Sequence, residues 1–206
     1  MRSSAALDRC LAAVVRRLPP EGFAEAVQAL RGGGAPRTAP PGRASLSVLS
    51  HWPRALEGVA SIDAELGEAL AEMSSALAWR QNPNYLRRPP GPGFLDGYGY
   101  AVIAGPGGLI QAGIALGILL LAPGILYPAH AHPAEEVYLV LDAQSRWWRE
   151  GEPWRERIGG AAIHHPPHLP HAMQAGPSMP LCAIYLWRGD LATNAALTGA
   201  PHLTET

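Results

Sequence analysis

From Tyr98 to Arg188 the chain runs as short apolar stretches, each closed within a few residues by glycine or proline, and this punctuation constrains the fold more than any other feature. Long helices do not survive such breaks, whereas short strands joined by tight turns need them. Strands are expected over residues 98–104, 111–121, 124–129, 136–141, 161–164 and 181–188, with a hairpin formed by 147–149 and 154–157. Strands of this length and spacing predict a sandwich or barrel. The 23 glycines and 21 prolines among 206 residues argue against an all-helical protein.

The N-terminal part reads differently. Leu7, Leu11, Val14, Val15 and Leu18 recur at three- and four-residue steps, which predicts an amphipathic helix ending near Pro19-Pro20, and a short second helix is expected over residues 21–30. Residues 31–43, RGGGAPRTAPPGR, hold no large apolar side chain and read as a flexible linker. Helical periodicity returns with Leu56, Val59, Ile62, Leu66, Leu70, Met73 and Leu77, leaving Glu57, Glu65, Glu68 and Glu72 toward water. Residues 80–93 are dense in turn formers. The organisation expected is a helical segment over residues 1–93 followed by a β domain over 94–206.

Sixteen basic against 17 acidic side chains leave a net charge of −1, which gives nucleic acid or an anionic membrane no electrostatic hold. Cys10 and Cys182 lie far apart without CxxC spacing, so neither a disulfide framework nor a zinc ribbon is expected. A reducing, cytoplasmic setting fits. The longest apolar run, residues 110–126, is broken by Gln111, internal glycines and Pro123 well short of about 20 clean residues, and reads as buried strand. The N-terminus lacks the basic, apolar and small-residue order of a secretory signal.

The densest chemistry lies in GILYPAHAHPAEEVYLVL, where His130, His132, Glu136 and Tyr138 fall at even offsets. Side chains alternate faces along a strand, so the two histidines can point one way, and Glu136 and Tyr138 can do likewise after a turn at Pro133-Ala134. Imidazoles and a carboxylate meeting on one interior face suit a divalent transition metal, without choosing among Fe, Mn, Zn, Ni and Cu. A second cluster supplies His164, His165, His168 and His171, one of which can close the site.

These spacings resemble the two motifs of the cupin superfamily. Gly124, His130, His132 and Glu136 match the first, with Ala143 at its final glycine; Gly160, Pro166 and His171 match the second, with His168 and Ala175 at its glycine and asparagine. The resemblance implies a mainly β fold, a small antiparallel cupin barrel (double-stranded β-helix) behind an N-terminal helical segment, with a metal held by His130, His132, Glu136 and His171. More narrowly, HAHPAEEVYLVL, HHPPHLPHAM and PLCAIYLWRGDL resemble the bacterial cupin lyases of the DddQ type, which cleave dimethylsulfoniopropionate (DMSP), over about residues 98–191. That implies β-elimination to dimethyl sulfide and acrylate, with His132, Glu136 and His171 as ligands of an Fe, Zn or Mn ion, His130 nearby and Tyr138 as base. Tyr127 is the second tyrosine that matches, and the resemblance implies it as a second catalytic residue beside Tyr138 and as a substrate-binding residue.

The chemistry can be argued apart from the family. A metal that coordinates a carboxylate lowers the barrier to removing its α-proton by several kcal/mol, and favours the phenolate of a tyrosine whose ordinary pKa is about 10. A sulfonium has no hydrogen-bond donor, so aromatic faces should recognise it. Tyr185 and Trp187 share one strand face and are substrate-binding candidates, or simply core. Tyr127 stands three residues before His130, an odd spacing that sends it to the opposite face unless Pro128 introduces a bulge. Trp147, Trp148 and Trp154 are expected to stack across the hairpin, Glu135 to be solvent-facing or ion-paired, and His164 and His165 to be structural or supporting. The partner expected is a small sulfonium carboxylate, with a homodimer left open. The competing readings are a cupin dioxygenase or isomerase acting on another small acid, and a non-enzymatic ligand-binding cupin.

Overall fold

The computed structural model describes residues 2–18, 23–30 and 45–199; the expected linker over 31–43 and the Pro19-Pro20 helix stop lie outside the described residues. Helix α1 (Arg2–Arg17) buries Leu11 and Val14 and carries Arg16 and Arg17 in its last turn, where their charge complements the helix dipole. A short α2 (Phe23–Gln28) follows. After a 3-10 turn (Ser47–His51), the periodicity that reads as one helix proves to be two, α3 (Trp52–Ile62) and α4 (Ala64–Met73). Asp63 breaks it: its backbone is extended, and its Oδ1 accepts the Leu66 N–H at 3.0 Å as the N-cap of α4. The two helices meet so tightly that a Cβ on Gly67 would lie 2.7 Å from that of Ala60. Glu65 and Glu72 do not simply face water. They pair with Arg16 (2.6 Å) and Arg9 (2.7 Å), while Asp63 takes Arg17 (2.9 Å), so α1 is aligned along α4.

The strands are β1 (Trp79–Arg80), β2 (Tyr98–Ala104), β3 (Ala115–Leu121), β4 (Leu126–Ala131), β5 (Glu135–Val140), β6 (Ser145–Arg149), β7 (Arg155–Arg157), β8 (Ala162–His165), β9 (His171–Gln174), β10 (Leu181–Arg188) and β11 (Ala196–Leu197). They pair antiparallel into a six-stranded sheet, β1-β2-β3-β10-β5-β8, and a five-stranded sheet, β11-β4-β9-β6-β7. The cupin-type fold is thus borne out as two sheets behind N-terminal helices, rather than as one closed ring of ladders. The first sheet starts at Trp79, before the boundary expected at residue 94, and α5 (Pro83–Arg87) lies within what reads as turn.

The six-stranded sheet is buried on both faces. Leu116, Ile118, Leu120, Val137, Leu139, Cys182, Ile184 and Leu186 join the core with the helices. The alternate positions Leu119, Tyr138, Val140, Ala183 and Tyr185 join Tyr127, Trp147 and Met173 of the second sheet. A strand covered on both sides has no reason to alternate with polar residues, which explains the continuous apolar run of β3. Trp147 enters the inter-sheet core against Tyr138 (ring centroids 5.0 Å), and Arg146 sits over Trp154, so the expected stack of tryptophans is replaced by these contacts.

The turns around the two motifs keep their special geometry. Gly124 and Gly160 have φ of +75° and +90°, and His168, standing at the cupin glycine, has φ of +64°. A left-handed backbone is costly for a residue with a Cβ. The loop is held in place because the His168 N–H donates to the carbonyl of His132 at 2.8 Å, joining the two motifs.

Candidate functional site

Strand alternation puts Glu136 and Tyr138 of β5 on the inter-sheet face, and the antiparallel register sets Trp187 opposite Glu136 and Tyr185 opposite Tyr138. On the neighbouring β8, His165 is the partner of Glu136 and is buried, while His164 is one residue out of phase and exposed. From the second sheet, β4 ends into His132 and β9 begins at His171. His132, Glu136 and His171 offer ligand atoms within 4.8 Å of one another, all buried. His132 Nε2 lies 2.9 Å from Glu136 Oε2, and His171 Nε2 lies 3.2 Å from the same oxygen.

Each of these imidazoles is oriented by its own chain. The Nδ1 atoms of His130, His132 and His171 donate to the carbonyls of Pro128, Ala134 and Leu169, all at 2.9 Å. That contact fixes the tautomer and turns Nε2 of His132 and His171 toward Glu136. The His171 Nε2 is buried yet out of alignment for a hydrogen bond. An orphaned imidazole nitrogen beside a second imidazole and a carboxylate is a donor set that fits a divalent transition metal.

Electrostatics bind the trio together. Burial opposes ionisation of Glu136, but the imidazoles of His132 and His171 hold its carboxyl well below the ordinary range. For His132, burial works against the charged form and Glu136 outweighs it, raising the pKa. The neighbours differ. Burial, then the charge of His171, depresses His130, and the same two causes take His165 down to about 2. His130 stands beside the trio, its ring edge-on to His171 at 4.2 Å. His165 stacks on His171 at 4.1 Å, with Nδ1 unpartnered and 3.9 Å from Glu136 Oε2. Glu135 points away and pairs with His164 (2.8 Å) and with Arg188.

Tyr127 does share the face of His130. Between Tyr127 and His130 the ladder slips: three steps along β4 cover two along β9, from Met173 to His171. The extra residue is a bulge, and the two rings stack at 3.8 Å with an interplanar angle of 8°. The Tyr127 hydroxyl donates to that of Tyr85 at 3.0 Å.

A cavity of about 240 Å³ reaches this centre at Glu136 and is walled also by Tyr138, Tyr127, Tyr185, Trp187, Tyr98, Tyr100 and Arg80. The ring of Tyr185 has room because its register partner is Gly117, where a Cβ would lie 2.4 Å from the Tyr185 hydroxyl. Burial, then the charge of Glu136, pushes the Tyr138 phenol well above its usual value.

Sequence reasoning missed Arg80, Tyr85, Tyr98 and Tyr100. Tyr98 and Tyr100 flank a glycine at a two-residue step, a pattern that could have placed both rings on one face. Arg80 sits in a two-residue strand and Tyr85 in a one-turn helix, too short for periodicity to mark.

The family model for DMSP lyases matches residues 26–183. The chain belongs to the dimethylsulfoniopropionate lyase family. Among curated relatives, DMSP lyase DddQ of Ruegeria pomeroyi is 32% identical over 136 residues, 66% of this chain and 66% of the relative. A putative DMSP lyase, DddL, of Cereibacter sphaeroides is 31% identical over 157 residues, 69% of this chain and 60% of the relative. These matches span about two thirds or less of the relatives' lengths. The crystal structure of DMSP lyase DddQ from Ruegeria pomeroyi superimposes with a TM-score of 0.71 at 27% identity, covering 94% of this chain and 96% of that one. The DMSP lyase fold therefore extends through the N-terminal helices as well as the sheets. Among the described residues, no helix is long and apolar enough to cross a membrane.

Proposed function

We propose that this chain cleaves DMSP by β-elimination to dimethyl sulfide and acrylate, with His132, Glu136 and His171 holding a divalent transition metal. The observation that carries the reading is that Glu136, the carboxylate of a buried His/Glu/His trio, lines a cavity walled by tyrosines and Trp187, in a member of the DMSP lyase family. A cation bound there supplies Lewis acidity toward the substrate carboxylate and a positive field that offsets the effect of Glu136 on Tyr138.

The residues divide the remaining work. Tyr138 accepts the α-proton at its phenolate oxygen; the carbon–hydrogen electron pair becomes the new double bond as the carbon–sulfur bond breaks, and sulfur departs with its pair as neutral dimethyl sulfide. Tyr127, Tyr185 and Trp187 present aromatic faces to the sulfonium. The stack of Tyr127 on His130 holds that tyrosine beside the centre. His130 adjoins the trio as a flanking imidazole. The buried, unpaired Cys10 and Cys182 support a cytoplasmic setting.

Tyr138→Phe tests the assignment. It removes one oxygen from a ring that stays packed against Trp147, so the variant should retain its metal and lose dimethyl sulfide release by at least a hundredfold, within the usual range for a general base. Near-normal headspace dimethyl sulfide would refute Tyr138 as the base. Oxygen uptake on other small acids with no sulfide evolved would point to a dioxygenase instead.

A further inference from the structure

The cavity that reaches Glu136 has a second charged wall. Arg80 of β1 is the register partner of Tyr100 in β2, and its half-buried side chain lines the cavity with Tyr100, Tyr185, Val102 and Pro106. Its Nη2 donates to the Gly107 carbonyl at 2.8 Å. Position 107 must be glycine for the guanidinium to lie there: φ is +77°, and a Cβ would stand 2.4 Å from Nη1. The arginine is thus fixed at one corner of its fork, and among the described residues the other N–H donors have no hydrogen-bond acceptor.

No carboxylate among the described residues pairs with Arg80. Among the described residues Glu136 is the single acidic side chain in the cavity wall, and it already faces His132, His171 and Trp187. In the six-stranded sheet, β1 and β5 are four strands apart, roughly 19 Å along a sheet of ordinary strand spacing. The phenol of Tyr185 lies between, feeling the charges of both Glu136 and Arg80. A guanidinium set against aromatic rings and proline is stabilised by an anion that takes its planar fork in bidentate fashion.

We propose that Arg80 forms a carboxylate subsite of this cavity, separate from the His132–Glu136–His171 centre, whose ligand is a small monocarboxylate. The name of that ligand rests on the lyase reading, under which acrylate is the carboxylate released into the cavity; the subsite itself does not rest on it. Arg80 would then retain the product after dimethyl sulfide has left and make acrylate an inhibitor.

Propionate, an unreactive carboxylate of the same length, is the probe. Titrated calorimetrically into the full-length protein, as purified and after chelation, it should bind in both states. Arg80→Gln should weaken it at least tenfold, Arg80→Lys should recover part of the loss, and His171→Ala should leave the chelated protein's affinity unchanged. Propionamide, neutral and nearly isosteric, should not bind the wild type, which tests the charge without relying on any variant. Equal binding of propionate and propionamide, no propionate binding to the chelated wild type, or loss with His171→Ala instead of Arg80→Gln would each overturn the subsite. Dimethyl sulfide release from DMSP is measured separately: its absence with propionate binding intact would remove acrylate as the ligand and leave the subsite standing.

Discussion

Trp187 donates its indole N–H to Glu136 Oε1 at 2.6 Å, from the position directly across the β10–β5 ladder. The carboxylate is therefore held from two sides: one oxygen by the indole, the other facing the imidazoles of His132 and His171. Trp187 also lies over His132 with ring centroids 4.1 Å apart, so a residue expected to contact substrate or fill the core also positions the donor set. Trp187→Phe keeps an aromatic ring and removes the hydrogen bond. Metal affinity should fall by about 10- to 100-fold, the usual cost of losing such a supporting partner. Competition with a chromogenic chelator reads this directly; an affinity within twofold of wild type would show that the indole does not position the carboxylate.

His130 and His171 are distinguished by their loss. His171 belongs to the set of ligand atoms within 4.8 Å, whereas His130 flanks it. His171→Ala should abolish stoichiometric metal, and His130→Ala should retain it. Chelation of the wild type should lower the melting temperature by about 10 °C, since a ligand at 1,000 times its Kd contributes about 4 kcal/mol and 1 kcal/mol shifts a chain of this size by 2–4 °C. Re-addition of one equivalent of metal should restore it. Full metal content in His171→Ala would exclude His171 as a required ligand.

His168 carries a left-handed backbone, φ +64°, with an exposed side chain. Glycine reaches that conformation without steric cost, so His168→Gly should stabilise the fold by about 1 kcal/mol, net of the greater freedom glycine has when unfolded. Thermal melts at matched metal loading check the sign, and a lower melting temperature would mean that the imidazole makes a stabilising contact.

Asp142 is a buried carboxyl whose Oδ1 accepts the Gln144 N–H at 3.0 Å while Oδ2 has no hydrogen-bond partner among the described residues. Burial outweighs the hydrogen bonds from Gln144 and Ser145 and raises its pKa from 3.8 to about 6. The folded state thus favours the protonated acid: its contribution is complete below pH 4 and is lost as pH climbs through 6. At about 1.4 kcal/mol per unit this amounts to roughly 3 kcal/mol. The stability of wild type relative to Asp142→Asn, from denaturant midpoints at pH 4, 5, 6 and 7, should therefore fall with rising pH. A difference that stays flat or rises would contradict the burial of the charge.

The division of labour between sequence and fold follows from the range of each interaction. Strand alternation is local, so the face shared by Glu136 and Tyr138 was legible in HPAEEVYLVL, as was the condition under which Tyr127 could join His130. The bulge met that condition. The burial of β3 was legible in a run free of polar side chains, ALGILLL; that it is covered on both faces is what the two sheets and the helices add. Helix continuity was not, because the periodicity of residues 56–77 persists across Asp63 and only its cap to Leu66 reveals the break.

What the tertiary structure alone decided is where separate strands meet. His171 reaches Glu136 because β9 pairs with β4 in the opposite sheet; residue type alone does not distinguish His171 from His164 or His168 as the closing imidazole, and only the resemblance to the second cupin motif singled it out. Arg80 and Tyr100 enter the same cavity because a two-residue strand, too short to carry a periodic signal, pairs with β2. Residue types and their local spacing wrote the imidazoles, the carboxylate and the phenol into the chain; the register of antiparallel strands far apart in sequence brought a histidine, the tyrosines and an arginine from separate strands to face one cavity and its neighbouring trio.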